Sequence, residues 1–211
     1  MTPLLEVQDL TCSIPDRTLF SNLNFSVGER ESVAIVGRSG TGKSTLLAAI
    51  MGLRDVDSGD IKICGESIVS APAAKKLNIR REKIGMVHQD GQLIDELTAT
   101  ENVAVALMLT QHPQPNLWEH AEKTLRNVGV PPNTLASELS GGEIQRTALA
   151  RALASEPRII LADEPTGSLD MQTRDEVMEH LFAATHTYNA ALVIVTHDPE
   201  VAAQADRAIS L

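Results

Sequence analysis

The chain has 211 residues, with 18 basic and 28 acidic side chains and a formal net charge of −10. That balance argues against a broad nucleic-acid surface, and 2% aromatic residues leave few rings on which bases could stack. The length allows one α/β domain with room for an inserted subdomain, and 43% hydrophobic residues are enough for an aliphatic core.

Leu4–Leu10 and Leu19–Val27 alternate as strands do, around a turn at Pro15–Asp16–Arg17. Met1–Leu10 carries Glu6 and Asp9 and lacks the apolar run of a leader peptide. Gly28–Glu29–Arg30 turns the chain into Ser32–Val36, a branched apolar run that predicts a buried parallel strand. Gly37–Arg38–Ser39–Gly40–Thr41–Gly42–Lys43–Ser44 follows, the full G-x-x-x-x-G-K-S pattern of a phosphate-binding loop. Good helix formers come next, Thr45 to Met51. Strand, glycine loop and helix together turn the motif into a candidate site. The glycines let backbone N–H groups approach phosphate oxygens, and the helix start adds its positive dipole end. Lys43 supplies a point charge for the β- and γ-phosphates, and the Ser44 hydroxyl can ligate Mg²⁺.

Gly59–Gly65 is another short strand, antiparallel in character like the first two. Cys12 and Cys64 fall in strand-like runs and read as reduced, small apolar fillers. The basic cluster Lys75, Lys76, Arg80, Arg81 and Lys83 reads as a solvated helix face. Ile84–Gln89 is strand-like. Thr100–Leu109 and Trp118–Val128 are helical in pattern, separated by Pro113 and Pro115. The stretch from about 90 to 139 offers no strand and reads as a helical subdomain, between core segments 1–89 and 140–211 of a single domain. Its apolar run Val103–Leu109 is far too short to span a bilayer.

Leu139–Ser140–Gly141–Gly142–Glu143–Ile144–Gln145–Arg146 opens a helix with an N-cap serine and, by expectation, bare N–H groups. That is a second anion-receptive helix start. Arg158–Asp163 is a strand ending in two acids, Asp163 and Glu164. An acid in that place holds Mg²⁺ in phosphate-loop enzymes, so Asp163 takes that role and Glu164 can activate the attacking water. A helix from Met171 to Thr185 and a strand Ala191–Thr196 follow, and His197 then stands where it could reach a γ-phosphate. A short helix and strand finish the chain. Strands alternating with helices predict a parallel sheet with right-handed crossovers.

The order of L-S-G-G-E-I-Q-R, the glycine loop, I-I-L-A-D-E, Gln89, Gly167–Ser168–Leu169–Asp170 and His197 resembles the ATP-binding subunit of ABC transporters over essentially the whole chain. The resemblance implies the α/β ABC-type ATPase head: a parallel core sheet, an antiparallel N-terminal β subdomain and an inserted helical subdomain. It implies ATP with Mg²⁺, held by the loop from Gly37 through Thr45, and Ser44, Gln89 and Asp163 around the metal. It implies a head-to-tail dimer of identical chains, each ATP lying between the loop of one copy and Ser140–Gly141–Gly142 of the other. Asp170 then communicates across the dimer, and Glu164, His197 and Lys43 serve hydrolysis.

Two positions depart from the family. The aromatic ring that usually stacks on adenine falls at Ile14, with Phe20 the nearest aromatic, and His88 stands where the family often has Phe. The stretch Ala162–Asp170 is most similar to the branch that exports macrolides, lipoproteins, haem and peptides, with cell-division relatives. The implied partner is a transmembrane permease, with the chain peripheral on the cytoplasmic membrane face. The chain ends soon after His197, which leads us to expect no appended regulatory domain. A chromosome ATPase head would be split by a coiled coil, a translation-associated protein would carry two heads, and a small-molecule kinase would have no use for Ser140–Gly142. A non-transporting regulator of the cell-division type stays open as the alternative.

Overall fold

The computed structural model describes residues 3–110, 116–167 and 169–211. The expected helix break at Pro113 and Pro115, and Ser168, lie outside them. Two sheets form the frame. The strands Leu5–Ile14 (β1), Arg17–Val27 (β2), Ser58–Ile63 (β4) and Glu66–Ser67 (β5) make an antiparallel sheet ordered β2-β1-β4-β5. The strands Ser32–Val36 (β3), Ile84–Val87 (β6), Ile159–Asp163 (β7), Ala191–Thr196 (β8) and Arg207–Ser210 (β9) make a parallel sheet ordered β6-β7-β8-β3-β9.

In the parallel sheet the inner strands β7, β8 and β3 are buried on both faces because they are apolar at nearly every position, as crossover packing requires, whereas the edge strand β9 is mostly exposed. Period-two alternation sorts its side chains. Ile160, Ala162, Leu192 and Ile194 enter one core with the helices Ala99–Met108 (α3), Leu117–Asn127 (α4), Gly141–Leu153 (α5) and Met171–Tyr188 (α6). Ile159, Leu161, Val193 and Val195 enter the other, with Val33 and Ile35, the antiparallel sheet and the helix Lys43–Ile50 (α1). Helix Ala73–Lys83 (α2) flanks β6, and a short helix Pro199–Ala202 (α7) follows β8. Between β6 and α5 the described residues contain no strand, only the isolated bridge Thr98–Leu135.

Three expectations need correction. The first hairpin is longer than its hydrophobic alternation: Ile14 pairs with Arg17, so only Pro15 and Asp16 turn, and Arg17 belongs to β2. Pro15 fixes a negative φ at the first turn position, and Asp16 takes a positive φ of 68° at the second, as a type II turn does. Cys64 lies not in a strand but just after β4, with φ 51°, and burial pushes its thiol up from its ordinary value. The basic face of α2 is paired rather than simply solvated. Lys75 and Lys83 flank Glu66, and together they hold its carboxyl down to about 2.

Candidate active site

Parallel strands deliver their carboxyl ends to one crevice. Here Val36 leads into the glycine loop, β6 is followed by His88 and Gln89, β7 closes at Asp163, and β8 closes at Thr196 before His197. The crevice is a cavity of about 800 Å³, within the range of small-molecule sites. Arg38, Ser39, Gly40 and the run Gly42–Thr45 line it from the loop, and Gln89, Asp163, Glu164 and His197 from the strand ends. The hairpin adds Ile14 and Leu19. Gly37 and Thr41 shape the loop instead: Thr41 Oγ1 donates to the Arg38 carbonyl at 3.0 Å.

The loop is built to leave a helix start open. Gly42 is the N-cap of α1 at φ 105°, where any Cβ would also meet Leu19 at 2.9 Å. No side chain caps α1, and no acid sits in its first turn. Its N–H groups therefore have no internal anion to satisfy them. The Lys43 ammonium is buried and donates to the carbonyls of Gly37 at 2.8 Å and Arg38 at 3.2 Å. Its distance to Glu164 Oε1 is 3.9 Å.

Glu164 is the strained member. It takes φ 47°, a left-handed conformation that costs a non-glycine residue about 1–2 kcal/mol. Its N–H donates to the Val195 carbonyl at 2.9 Å, and its own carbonyl accepts from Gly167 N at 3.1 Å. These bonds fix the turn after β7. The carboxylate then meets the end of β8: His197 Nδ1 donates to Oε1 at 2.8 Å, which leaves Nε2 of the exposed ring free of that contact. Ser44, Gln89 and Asp163 line the same cavity. One hydroxyl, one amide and one carboxylate suit a hard ion that takes its remaining ligands from phosphate and water, as Mg²⁺ does. Among the described residues no group of three or more His, Cys, Asp or Glu could hold a metal alone.

Ser140, Gly141, Gly142 and Asp170 do not line this cavity. They form a second cluster where α5 and α6 begin. A Cβ on Gly142 would lie 2.4 Å from Thr173, so only glycine lets the two helix starts approach. Asp170 caps α6 and accepts from Thr173 N and Oγ1 at 3.1 and 2.7 Å, bonds that hold its carboxyl below the usual range. The N–H groups of α5 are not all bare, contrary to expectation. Ser140 and Glu143 form a capping box: Ser140 N and Oγ donate to Glu143 Oε2 at 2.9 and 2.7 Å, and Glu143 N donates back to Ser140 Oγ at 3.4 Å. Those bonds hold the Glu143 carboxyl below its ordinary value. The S-x-x-E spacing was the signal for this, and it lies open in the sequence.

Ile14 is 40% exposed and lines the cavity. Phe20 is buried, packs against the Gly42 position and offers no face to the cavity. The half-buried His88 imidazole is pushed down by burial and by the Arg151 charge, and its carbonyl accepts from Gln145 Nε2 at 2.9 Å. Leu19 escaped the sequence reading because an alternating strand does not reveal which side chain meets a distant loop.

The ABC transporter family model matches residues 20–167. Among solved structures, the chain is similar to the bacterial ABC transporter cassette MJ0796 in a dimeric form, at 34% identity and TM-score 0.89, covering 98% of this chain and 94% of that one. A dimeric post-hydrolysis form of MJ0796, bound to ADP and phosphate, matches at 34% identity and TM-score 0.88 over the same shares. CbiO1 of Clostridium perfringens, part of the ABC transporter complex CbiONQ, matches at 25% identity and TM-score 0.89, over 100% of this chain and 85% of that one.

Proposed function

The chain belongs to the ABC transporter family of ATP-hydrolysing cassettes, and from that premise we propose that two copies close around two ATP molecules and drive a separate membrane permease. The observation that carries this reading is the separation of two helix starts. That of α1 faces the cavity without a cap, and that of α5 stands exposed outside it with two glycines. A nucleotide in one copy reaches Ser140–Gly142 only if those residues come from another copy.

In the proposed cycle the loop amides and Lys43 bind the triphosphate. Mg²⁺ would be held by Ser44, Gln89 and Asp163 and would neutralise charge developing on the β- and γ-phosphates. Glu164 takes a proton from water as its oxygen attacks the γ-phosphorus, and the bond to the β-phosphate oxygen breaks to release ADP. His197, fixed through Nδ1 to Glu164, turns Nε2 toward the γ-phosphate. Asp170 and Ser140–Gly142 act across the dimer.

The helical segment 90–139 is the proposed docking face for the permease. Of three leucine and isoleucine candidates near Gln89, Leu93 packs on the core and Leu97 is half-buried, whereas Ile94 is 45% exposed. Ile94→Glu should therefore uncouple transport while basal ATPase survives. No helix among the described residues is long and apolar enough to cross a membrane. This fits a chain held at the cytoplasmic face through its permease. Export of a hydrophobic or amphipathic compound is the proposed direction, on the resemblance of Ala162–Asp170 to that branch.

Sizing of Glu164→Gln tests the assembly. It should shift to dimer with ATP, and an added Ser140→Arg should prevent the shift. A dimer that forms equally without nucleotide would rule out ATP as the bridge.

A further inference from the structure

The hairpin β1–β2 reaches the nucleotide cavity through Ile14 and Leu19, but it is not left to stand by itself. Arg17 pairs with Ile14 across the turn, and its Nη2 donates to the Gly40 carbonyl at 3.0 Å. Gly40 is the exposed tip of the phosphate loop, with φ 78° and nothing within 4 Å of its Cβ position. The loop's other side-chain hydrogen bonds are internal, Thr41 to Arg38 and Lys43 to Gly37 and Arg38, and the Lys43–Glu164 pair at 3.9 Å holds the loop's far end rather than its tip. Among the described residues, Arg17 is the one that grips the tip from outside the loop. On the other strand, Arg54, just beyond α1, donates from Nη2 to the Ser13 carbonyl at 3.1 Å. Two arginines thus tie the hairpin turn to both ends of the loop–helix unit.

We propose that Arg17 is a positioning residue for nucleotide binding: it braces the phosphate loop against the hairpin, with Arg54 steadying the hairpin behind it. The physical logic is preorganisation. A glycine tip with no packing loses much conformational freedom when phosphate orders it, and a tether that orders it beforehand removes part of that cost. The guanidinium suits the task because its planar fork loses little freedom per bond formed. The tether matters more here than where an aromatic ring anchors the base, because Ile14 offers no stacking face. A brace on the loop acts on the phosphates and is indifferent to the base.

The inference rests on the reading that this loop holds the triphosphate, and one set of measurements separates the two. Dissociation constants of Mg²⁺–ATP and Mg²⁺–tripolyphosphate are measured for the full chain, Arg17→Ala and Ile14→Ala. If the wild-type chain binds neither, the nucleotide reading itself falls. With that binding in hand, Arg17→Ala should weaken both ligands alike, by roughly fivefold, the scale of one hydrogen bond. Ile14→Ala should weaken ATP alone. The Arg17→Ala factor should hold between low and high salt, because a loop brace is not an ion pair with the ligand. The melting temperature of the nucleotide-free protein should fall by no more than about 5 °C, since Arg17 is exposed and loses one hydrogen bond. A loss confined to ATP would mean that Arg17 contacts the base, and a loss that shrinks with salt would mean that it contacts phosphate directly. Either outcome overturns the brace, as does unchanged binding or a fall in melting temperature of more than about 10 °C, which would mark a wider loss of fold.

Discussion

The starts of α1 and α5 use the same local device in opposite ways. Both carry glycine at the helix start, Gly42 as the N-cap of α1 and Gly141–Gly142 as the first residues of α5, and both present backbone N–H groups at the positive end of a helix dipole. At α1 the N-cap is Gly42, the first turn has no acid, and the cationic Lys43 points back over the loop. At α5 the N-cap is Ser140, and Glu143 folds its carboxylate onto the serine. One start is kept open for an external anion, and the other carries an anion of its own. The difference teaches that a glycine-bearing helix start is not by itself a phosphate site. The decision lies in whether the first turn satisfies its own donors. It also gives the proposed assembly an order: α1 is ready in a single copy, and α5 becomes a phosphate site only when a partner's nucleotide competes with Glu143.

The largest expected effect breaks the chemistry at the open start. Glu164→Gln should retain ATP binding and lower turnover by about 10²–10⁴-fold, the scale of general-base catalysis. Near wild-type hydrolysis would remove Glu164 from that role. A smaller effect tests whether phosphate dominates at α1. GTP should compete with ATP within about tenfold, which is 1.4 kcal/mol, and Ile14→Tyr should tighten ATP without changing turnover at saturation. A strong native preference for ATP that ignores Ile14→Tyr would show that another group holds the base.

The closed start is sharpened by Glu143→Gln, which can keep the cap and removes the charge. In the Glu164→Gln background it should lower the ATP concentration needed for half-dimerisation by about two- to fivefold, from 0.3–1 kcal/mol for a charge at a helix start. A higher ATP requirement would show that Glu143 assists the partner's nucleotide.

The smallest effect lies away from both starts. Glu66 is held at about 2 by Lys75 and Lys83, below its unfolded value of 4.5. Its stabilisation is therefore present above pH 4.5 and fades as pH falls toward 2. Exposed pairs of this kind contribute about 0–1 kcal/mol, so Glu66→Gln should lower the melting temperature slightly at neutral pH. The difference should vanish near pH 2, and a gap that persists there would trace the stability to packing instead.

The inner strands of the parallel sheet were legible in the sequence because they are apolar at nearly every position. Ser32–Val36 and Ala191–Thr196 have the limits that composition predicts. The loop was legible because its residue types are dictated by phosphate geometry, and its strand–loop–helix context is local. What the sequence concealed depends on contacts to backbone. Arg17 grips a carbonyl 23 positions away, which no side-chain pattern encodes. Glu164 takes a left-handed turn because Val195 and Gly167 hold its backbone. The hairpin ran longer than its hydrophobic alternation because β1 carries register shifts between Val7 and Ser13, which interrupt the period-two signal. The paired face of α2 depends on Glu66 from a two-residue strand too short to leave a pattern.

In the proposed dimer each nucleotide site is shared between the open start of one copy and the glycine start of another. Mixing two inactive variants tests it most directly. Lys43→Ala disables the loop of its own copy, and Ser140→Arg blocks the α5 start of its own copy. In a mixed dimer one composite site has both defects, and the other has an intact Lys43 facing an intact Ser140. Mixing should restore ATP hydrolysis that neither variant shows alone. A mixture as inactive as its parts would contradict the shared site, because each copy would then need both features in the same chain.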